Sequence, residues 1–189
     1  MDKFSVIIPT MWKSEFTLDL LERYLKSDYV GEVILINNNN AETPQISKND
    51  KLRIITPKEN IYVNPAWNLG VELSHYNNIT LSNDDILFDV DEYFSYLEQS
   101  QEPLRIGFIG SHSDNYEVEQ SNNVRIEYYD NRNNLTGWGC LFSFNKQNWK
   151  PIPDGLKIWY GDNFIHATNG NIFQLRGIKI KTNMSTSSN

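Results

Sequence analysis

Four short apolar runs in the first hundred residues, at 4–8, 33–36, 52–55 and 79–81, each give way to a polar or turn-forming stretch. Runs this brief and this continuously apolar read as β-strands covered on both faces, the pattern of a parallel sheet. Helical signals lie between them. Ser14 or Thr17 can cap a helix in which Phe16, Leu20, Leu21, Tyr24 and Leu25 recur at helical spacing, ending near Gly31. Asn64 is a good N-cap, with Pro65 at the first helical position, and Asp89-Val90-Asp91-Glu92 matches a capping box that opens a helix through about Gln99. Four βα units in the first hundred residues mean an open α/β sheet, in which ligands bind beyond the carboxyl ends of the strands. Pro9, Thr10, residues 37–40 and residues 83–85 all fall at that edge.

The second half is less regular. Residues 106–109, 124–129, 140–144, 172–175 and 178–180 read as strands, in part antiparallel, with one helix after Gly161. The polar, turn-rich segment 130–137 reads as a loop. With 189 residues and no internal repeat, the chain is expected to form one domain, with halves at 1–100 and 101–189.

Composition removes several classes. The 39% hydrophobic and 13% aromatic content argues against disorder, and a net charge of −7 argues against a nucleic-acid partner, which selects a basic stripe. A lone cysteine, Cys140, excludes an internal disulfide framework and a cysteine-rich zinc site, and its apolar neighbours make it a packing residue. His75, His112 and His166 show no metal-ligand spacing, and surface or packing roles are expected for all three. No run approaches the roughly 18 apolar residues of a membrane span, and no basic-then-apolar leader precedes the first strand. A soluble, cytoplasmic protein is expected, with a frayed polar tail at 184–189.

The acidic pair carries the first functional signal. Residues 79–88 deliver Asn83, Asp84 and Asp85 to the end of the fourth strand. Mg²⁺ and Mn²⁺ want oxygen ligands, take one or two protein carboxylates and complete their shell with water and phosphate oxygens. The competing reading is an Asp pair that ends a strand and faces water. An acidic chain can still bind a diphosphate if a metal ion supplies the local positive charge.

At this point the residues resemble a known family, the inverting family-2-type glycosyltransferases with the GT-A fold, across most of the chain. Residues 4–10 look like that family's opening strand, and 32–39 resemble its second strand with the polar residues that hold the nucleotide base. Asn60 and Asn68-Leu69-Gly70 resemble the amide-rich turn and helix that follow the third strand. Asn83-Asp84-Asp85 lies where the family keeps its Asp-X-Asp metal motif. Gly137-Trp138-Gly139 and Trp159-Tyr160-Gly161-Asp162 resemble the acceptor-side strand and the catalytic acidic segment. No single motif is specific, but their order and spacing together are. The resemblance implies a mostly parallel central sheet flanked by helices, with a smaller, partly antiparallel acceptor-side part. It also implies transfer of a sugar from a nucleoside-diphosphate sugar to a hydroxyl of a glycan or glycoconjugate, with Mn²⁺ or Mg²⁺. The short chain and its many asparagines are compatible with a viral or bacterial enzyme that decorates a surface glycan.

The sequence also departs from the pattern. Asn83 stands where the first motif aspartate is expected, leaving Asp85 as the principal metal ligand and Asp84 for donor sugar hydroxyls. Asn38 replaces a commonly acidic base contact, Trp67 sits where arginine is frequent, and no C-terminal histidine offers a further ligand. An inverting displacement needs a base on the acceptor side and charge stabilisation for the leaving diphosphate. Asp162 is the candidate base, with a helix N-cap as its rival role. Donor contacts are expected from Pro9, Thr10, Asn37, Asn38, Asn39, Asn60, Asn68, Asn83 and Asp84. The 37–40 run can also reflect nothing more than an Asn-rich coding sequence. Trp138, beside Gly139, offers a flat face to the acceptor or packs in the core; Trp159 and Tyr160 carry the same two readings, with the core favoured. A catalytically silent sugar-nucleotide-binding protein of the same fold is the alternative. A nucleotidyltransferase is disfavoured because no glycine-rich phosphate loop follows the first strand.

Overall fold

The computed structural model describes residues 2–41, 43–100, 107–109, 117–118, 123–129, 141–168 and 172–182. The four apolar runs form β1 (Phe4–Thr10), β2 (Val30–Asn37), β3 (Leu52–Ile55) and β4 (Asn78–Ser82). β1 pairs in parallel with β2 and β4, and β2 in parallel with β3. Helices α1 (Thr17–Lys26), α2 (Val63–Leu73), α3 (Val90–Gln99) and α4 (Gly161–Thr168) pack around this sheet.

The second half supplies β6 (Gly107–Ile109), β8 (Arg125–Tyr129), β9 (Leu141–Asn145) and β10 (Ile172–Arg176). They extend the sheet to the order β3-β2-β1-β4-β9-β6-β10-β8, in which only β9 and β8 run against the rest. This is the mostly parallel central sheet with an antiparallel portion that the sequence implies. A second sheet, β5-β11-β7, joins β5 (Ile86–Phe88) to β11 (Ile180–Thr182) and β7 (Glu117–Val118). The isolated three-residue and two-residue strands β5 and β7 escape sequence patterning because they are too short to show a period.

Alternation along the strands divides the core in two. Phe4, Val6 and Ile8 of β1 pack with Leu20, Leu21 and Tyr24 of α1 and Tyr93, Phe94 and Leu97 of α3. Ile7 turns to the opposite face, with Ala66, Trp67 and Val71 of α2 and Ile165 of α4. Both faces of β1, β2 and β4 are covered, which is why these strands are largely apolar; β3, at the sheet edge, departs from the expectation, with Ile54 37% exposed. Gly70 lets α2 lie directly on β1, since a Cβ there would run into the Ile7 side chain.

Several sequence expectations need correction. Asp89 caps α3 as expected, its Oδ1 accepting from Glu92 N at 2.9 Å. Helix α1, however, ends at Lys26, and Gly31 lies inside β2, where the Tyr76 ring leaves no room for a Cβ. Neither Ser14 nor Thr17 is its N-cap residue; Phe16 occupies that position, and the Ser14 hydroxyl accepts from Phe16 N at 3.1 Å. Between β2 and β3 the described residues contain no helix, so the second βα unit is absent. Asn64 is not the cap of α2 either, because the helix already begins at Val63.

At the amino ends of β1 and β2, away from the predicted ligand edge, Glu32 is buried in a polar cluster. It accepts from Ser5 Oγ at 2.6 Å, His75 N at 2.6 Å and Arg53 Nη1 at 3.1 Å. Burial pushes the carboxyl pKa up, but these hydrogen bonds to the ionised form outweigh it and hold Glu32 below its usual value.

Candidate functional site

The carboxyl ends of β1, β2 and β4 meet, as the open-sheet rule requires, with Thr10 opposite Asn37 in the β1/β2 register. Side chains lace these ends together. Thr10 Oγ1 donates to Asp84 Oδ2 at 2.5 Å and accepts from Trp12 N at 2.9 Å. Thr17 Oγ1 lies 3.3 Å from the same Asp84 oxygen, so the first turn of α1 is tied to the acidic pair. Trp12 Nε1 donates to Asn37 Oδ1 at 2.9 Å, and Asn38 N donates to Thr10 O at 2.9 Å. Trp12 holds a φ of 60°, a left-handed conformation uncommon for a bulky residue and frequent at functional sites. Trp12 lies in no recognisable sequence motif, and no local pattern reveals its conformation.

Asp84 and Asp85 sit in the link between β4 and β5, and both are buried, at 3% and 4% exposure. The pairing of β5 with β11 fixes the exit of this link. Asp85 beside Asp84 offers hard carboxylate oxygens suited to a divalent cation. Among the described residues no group of three or more His, Cys, Asp or Glu side chains gathers in a metal-binding cluster. An ion here would therefore depend on Asp85 together with water and ligand oxygens, as Mg²⁺ commonly does.

The amide residues divide by their partners. Asn37 is fully buried, its Oδ1 accepting also from Asn39 N at 3.0 Å and its Nδ2 donating to Thr43 Oγ1 at 2.8 Å. Asn38 Oδ1 accepts from Ile61 N at 3.2 Å, linking the β2 edge to the approach to α2. Asn39 is half-buried, with Nδ2 donating to Met11 O at 3.3 Å; Asn40 is exposed. Asn60 Oδ1 accepts from Tyr62 N at 2.8 Å, Pro9 is buried and Asn83 half-buried.

Asn64 and Asn68, one turn apart on α2, clamp the segment that leads to α4. Asn68 Nδ2 donates to Ile152 O at 2.8 Å and its Oδ1 accepts from Ile152 N at 2.9 Å. Asn64 Nδ2 donates to Leu156 O at 3.0 Å. The two amides are thus structural connectors between the halves of the chain, a role sequence reasoning missed because the partners are more than eighty residues away.

Asp162 is the second residue of α4, half-buried, with Oδ1 accepting from Asn163 N at 2.9 Å. It lies inside the helix rather than at an N-cap; the carbonyl of Tyr160 accepts from Phe164 N at 2.9 Å to start the helix. One turn later His166 is buried against Phe142. Burial lowers the His166 pKa to about 4, the Asp162 charge opposing the shift, so the imidazole is neutral near pH 7. Trp67 packs edge-on against Phe142 in the core. Trp159 and Tyr160 contradict the expectation of core packing: they are 64% and 68% exposed. Trp138 and Gly139, with Cys140, His112 and the 130–137 loop, lie outside the described residues.

No family model and no curated protein matches the chain. Solved structures do. A structure of Staphylococcus aureus TarS residues 1–349 aligns over 94% of this chain and 59% of its own, with 16% identity and a TM-score of 0.69. The same TarS region in complex with UDP-GlcNAc gives 15% identity over 94% of this chain and 57% of its own, with a TM-score of 0.66. The mannosyltransferase PcManGT from Pyrobaculum calidifontis, in complex with GDP-Man and Mn²⁺, aligns over 90% of this chain and 54% of its own, with 13% identity and a TM-score of 0.60. This chain spans a little over half the length of these structures. At such identities the likeness establishes a shared fold.

Proposed function

We propose that the chain is an inverting, metal-dependent glycosyltransferase that moves a sugar from a nucleoside-diphosphate donor to a hydroxyl of a glycan acceptor. The observation that carries this reading is the Thr10–Asp84 hydrogen bond, which joins the ends of β1 and β4 and sets a carboxylate pair at the ligand edge of the sheet. The fold shared with structures that hold UDP-GlcNAc or GDP-Man with Mn²⁺ supports it.

In this mechanism residues 1–100 bind the donor and residues 101–189 face the acceptor. Pro9, Thr10 and the 37–39 loop line the nucleoside, with Asn60 and Asn68 shaping the α2 side. Asn83 and Asp84 face the donor sugar; Thr10 and Thr17 hold Asp84 in one orientation, which limits reorganisation when substrate arrives. Asp85 would hold Mn²⁺ or Mg²⁺, which supplies Lewis-acid stabilisation of the leaving diphosphate when bound. Asp162 accepts the proton of the acceptor hydroxyl as that oxygen attacks the anomeric carbon from the face opposite the departing diphosphate. His166, buried one turn away with its pKa lowered to about 4, is neutral and does not compete for that proton as a cation.

A screen of UDP- and GDP-sugars with Mn²⁺, with Mg²⁺ or with chelator tests the reading, by binding and by slow donor hydrolysis. Metal-dependent binding with hydrolysis is the expected result; absence of binding to every donor removes the proposal. Asn83 at the first motif position favours one second reading, a sugar-nucleotide-binding protein without turnover, for which binding without hydrolysis or transfer is the expected pattern.

A further inference from the structure

Three large aromatic side chains crowd the seam where α2 and α4 begin. Tyr62 stands immediately before α2, and Trp159 and Tyr160 immediately before α4; they are 36%, 64% and 68% exposed. The seam itself is fixed. Asn64 N donates to Lys157 O at 3.1 Å, Asn64 Nδ2 lies 3.5 Å from Trp159 O, and Lys157 Nζ stands 5.1 Å from the centre of the Tyr62 ring.

Two of the three sit on strained backbone. Tyr62 has φ 66° and ψ 176°, a region occupied almost only by glycine, and Tyr160 has φ 65°. Glycine would relieve the strain at either position, yet both carry a tyrosine, Tyr160 mostly exposed and Tyr62 about a third exposed beside Lys157. Neither tyrosine belongs to the two buried core clusters, so core packing does not account for the strain.

The chemistry of the patch selects its occupant. The exposed aliphatic residues Leu18 and Ile54 lie on α1 and β3, whereas the exposed large hydrophobic residues described at this seam are rings, two with hydroxyl tips and one with an indole N–H. A pyranose has one face of C–H bonds and a rim of hydroxyls, which matches a flat ring edged by polar groups. Asn60 holds the Tyr62 backbone through its side-chain oxygen, Asn64 reaches the Trp159 carbonyl, and Asp162 follows Tyr160 by two residues. A nucleic acid is a poor fit for a chain of net charge −7.

We propose that Tyr62, Trp159 and Tyr160 form a stacking platform for the sugar rings of an oligosaccharide acceptor, which enters along the α2/α4 seam and presents its hydroxyl to Asp162. This rests on the transferase reading for the role of Asp162, but the platform is a binding surface with its own readout.

The test uses the full chain and four tetrasaccharides as probes: cellotetraose, chitotetraose, maltotetraose and mannotetraose. Saturation-transfer NMR detects contact of ring C–H protons, and tryptophan fluorescence gives affinity. At least one probe should bind the native protein. Trp159→Ala and Tyr160→Ala should each weaken that binding about two- to tenfold, while Trp159→Phe retains most of it. Leu18→Ala, on a distant exposed surface, should leave it unchanged. Melting temperatures confirm that each variant is folded, and Trp159→Phe, which keeps an aromatic ring, decides the matter if an alanine variant melts early. Binding of none of the four probes, or undiminished binding by folded alanine variants, overturns the platform. UDP and GDP with Mn²⁺ are titrated in parallel. Nucleotide binding without oligosaccharide binding overturns the platform and spares the transferase; ring-dependent oligosaccharide binding without nucleotide binding supports the platform and overturns the transferase.

Discussion

The Asn64 side chain fills the space in which a Cβ on residue 161 would stand, so Gly161 is what allows α4 to start against the first turn of α2. Asp162 follows directly, and its position is inherited from that contact. Gly161→Ala should therefore destabilise the fold by about 1–3 kcal/mol, the usual cost of overpacking, and lower any transferase activity by displacing Asp162. Denaturant unfolding measures the first effect. Asn64→Ala reopens the space, so the double variant should lose less than the sum of the two single variants.

If Asp162 takes the acceptor proton in the transition state, Asp162→Asn should reduce turnover roughly 10²- to 10⁴-fold with donor affinity nearly unchanged. The substitution preserves size and the capacity to accept from Asn163 N. Steady-state kinetics beside donor titration separate the two quantities. Near-normal transfer by the folded variant would remove Asp162 as the base.

Asp85→Ala should abolish the difference between nucleoside-diphosphate affinity measured with Mn²⁺ and with chelator. Calorimetric titration under both conditions reads it directly. Identical affinities for the unaltered chain in the two buffers would argue that no ion takes part in binding.

Acid stability should depend on Glu32. Its folded pKa lies below the ordinary value of 4.5, so its contribution is fully present above the unfolded-state pKa and is lost as pH falls through the folded one. Glu32→Gln should lower stability near neutrality and flatten its decline below pH 4.5. Thermal melts across the acid range measure both. An unchanged acid slope would show that other carboxylates govern it.

The legible parts of this fold were those with local causes. Strands β1, β2 and β4 announced themselves because both faces are buried, and α3 because Asp89 and Glu92 sit three residues apart. Asn64 misled because its N-cap preference is a local tendency overridden by a carbonyl at residue 156. Trp159 and Tyr160 misled because hydrophobicity alone does not say which side of a backbone a ring occupies. At the candidate site the strand-end positions of Thr10, Asn37 and Asp84 were readable. The hydrogen bonds from Thr10 to Asp84 and from Trp12 to Asn37 were not, since they span 74 and 25 residues with no sequence signature.

The strand that leaves the acidic pair, β5, is completed by β11 rather than by a neighbour in sequence. On a ribosome the four parallel strands can assemble while the remainder of the chain is still being made, but among the described residues the strand leaving the Asp84–Asp85 link has no strand to pair with until residues 180–182 emerge. The sheet edge thus precedes its final closure during synthesis, and a nascent chain stalled between β10 and β11 should carry a folded sheet and an unfinished site.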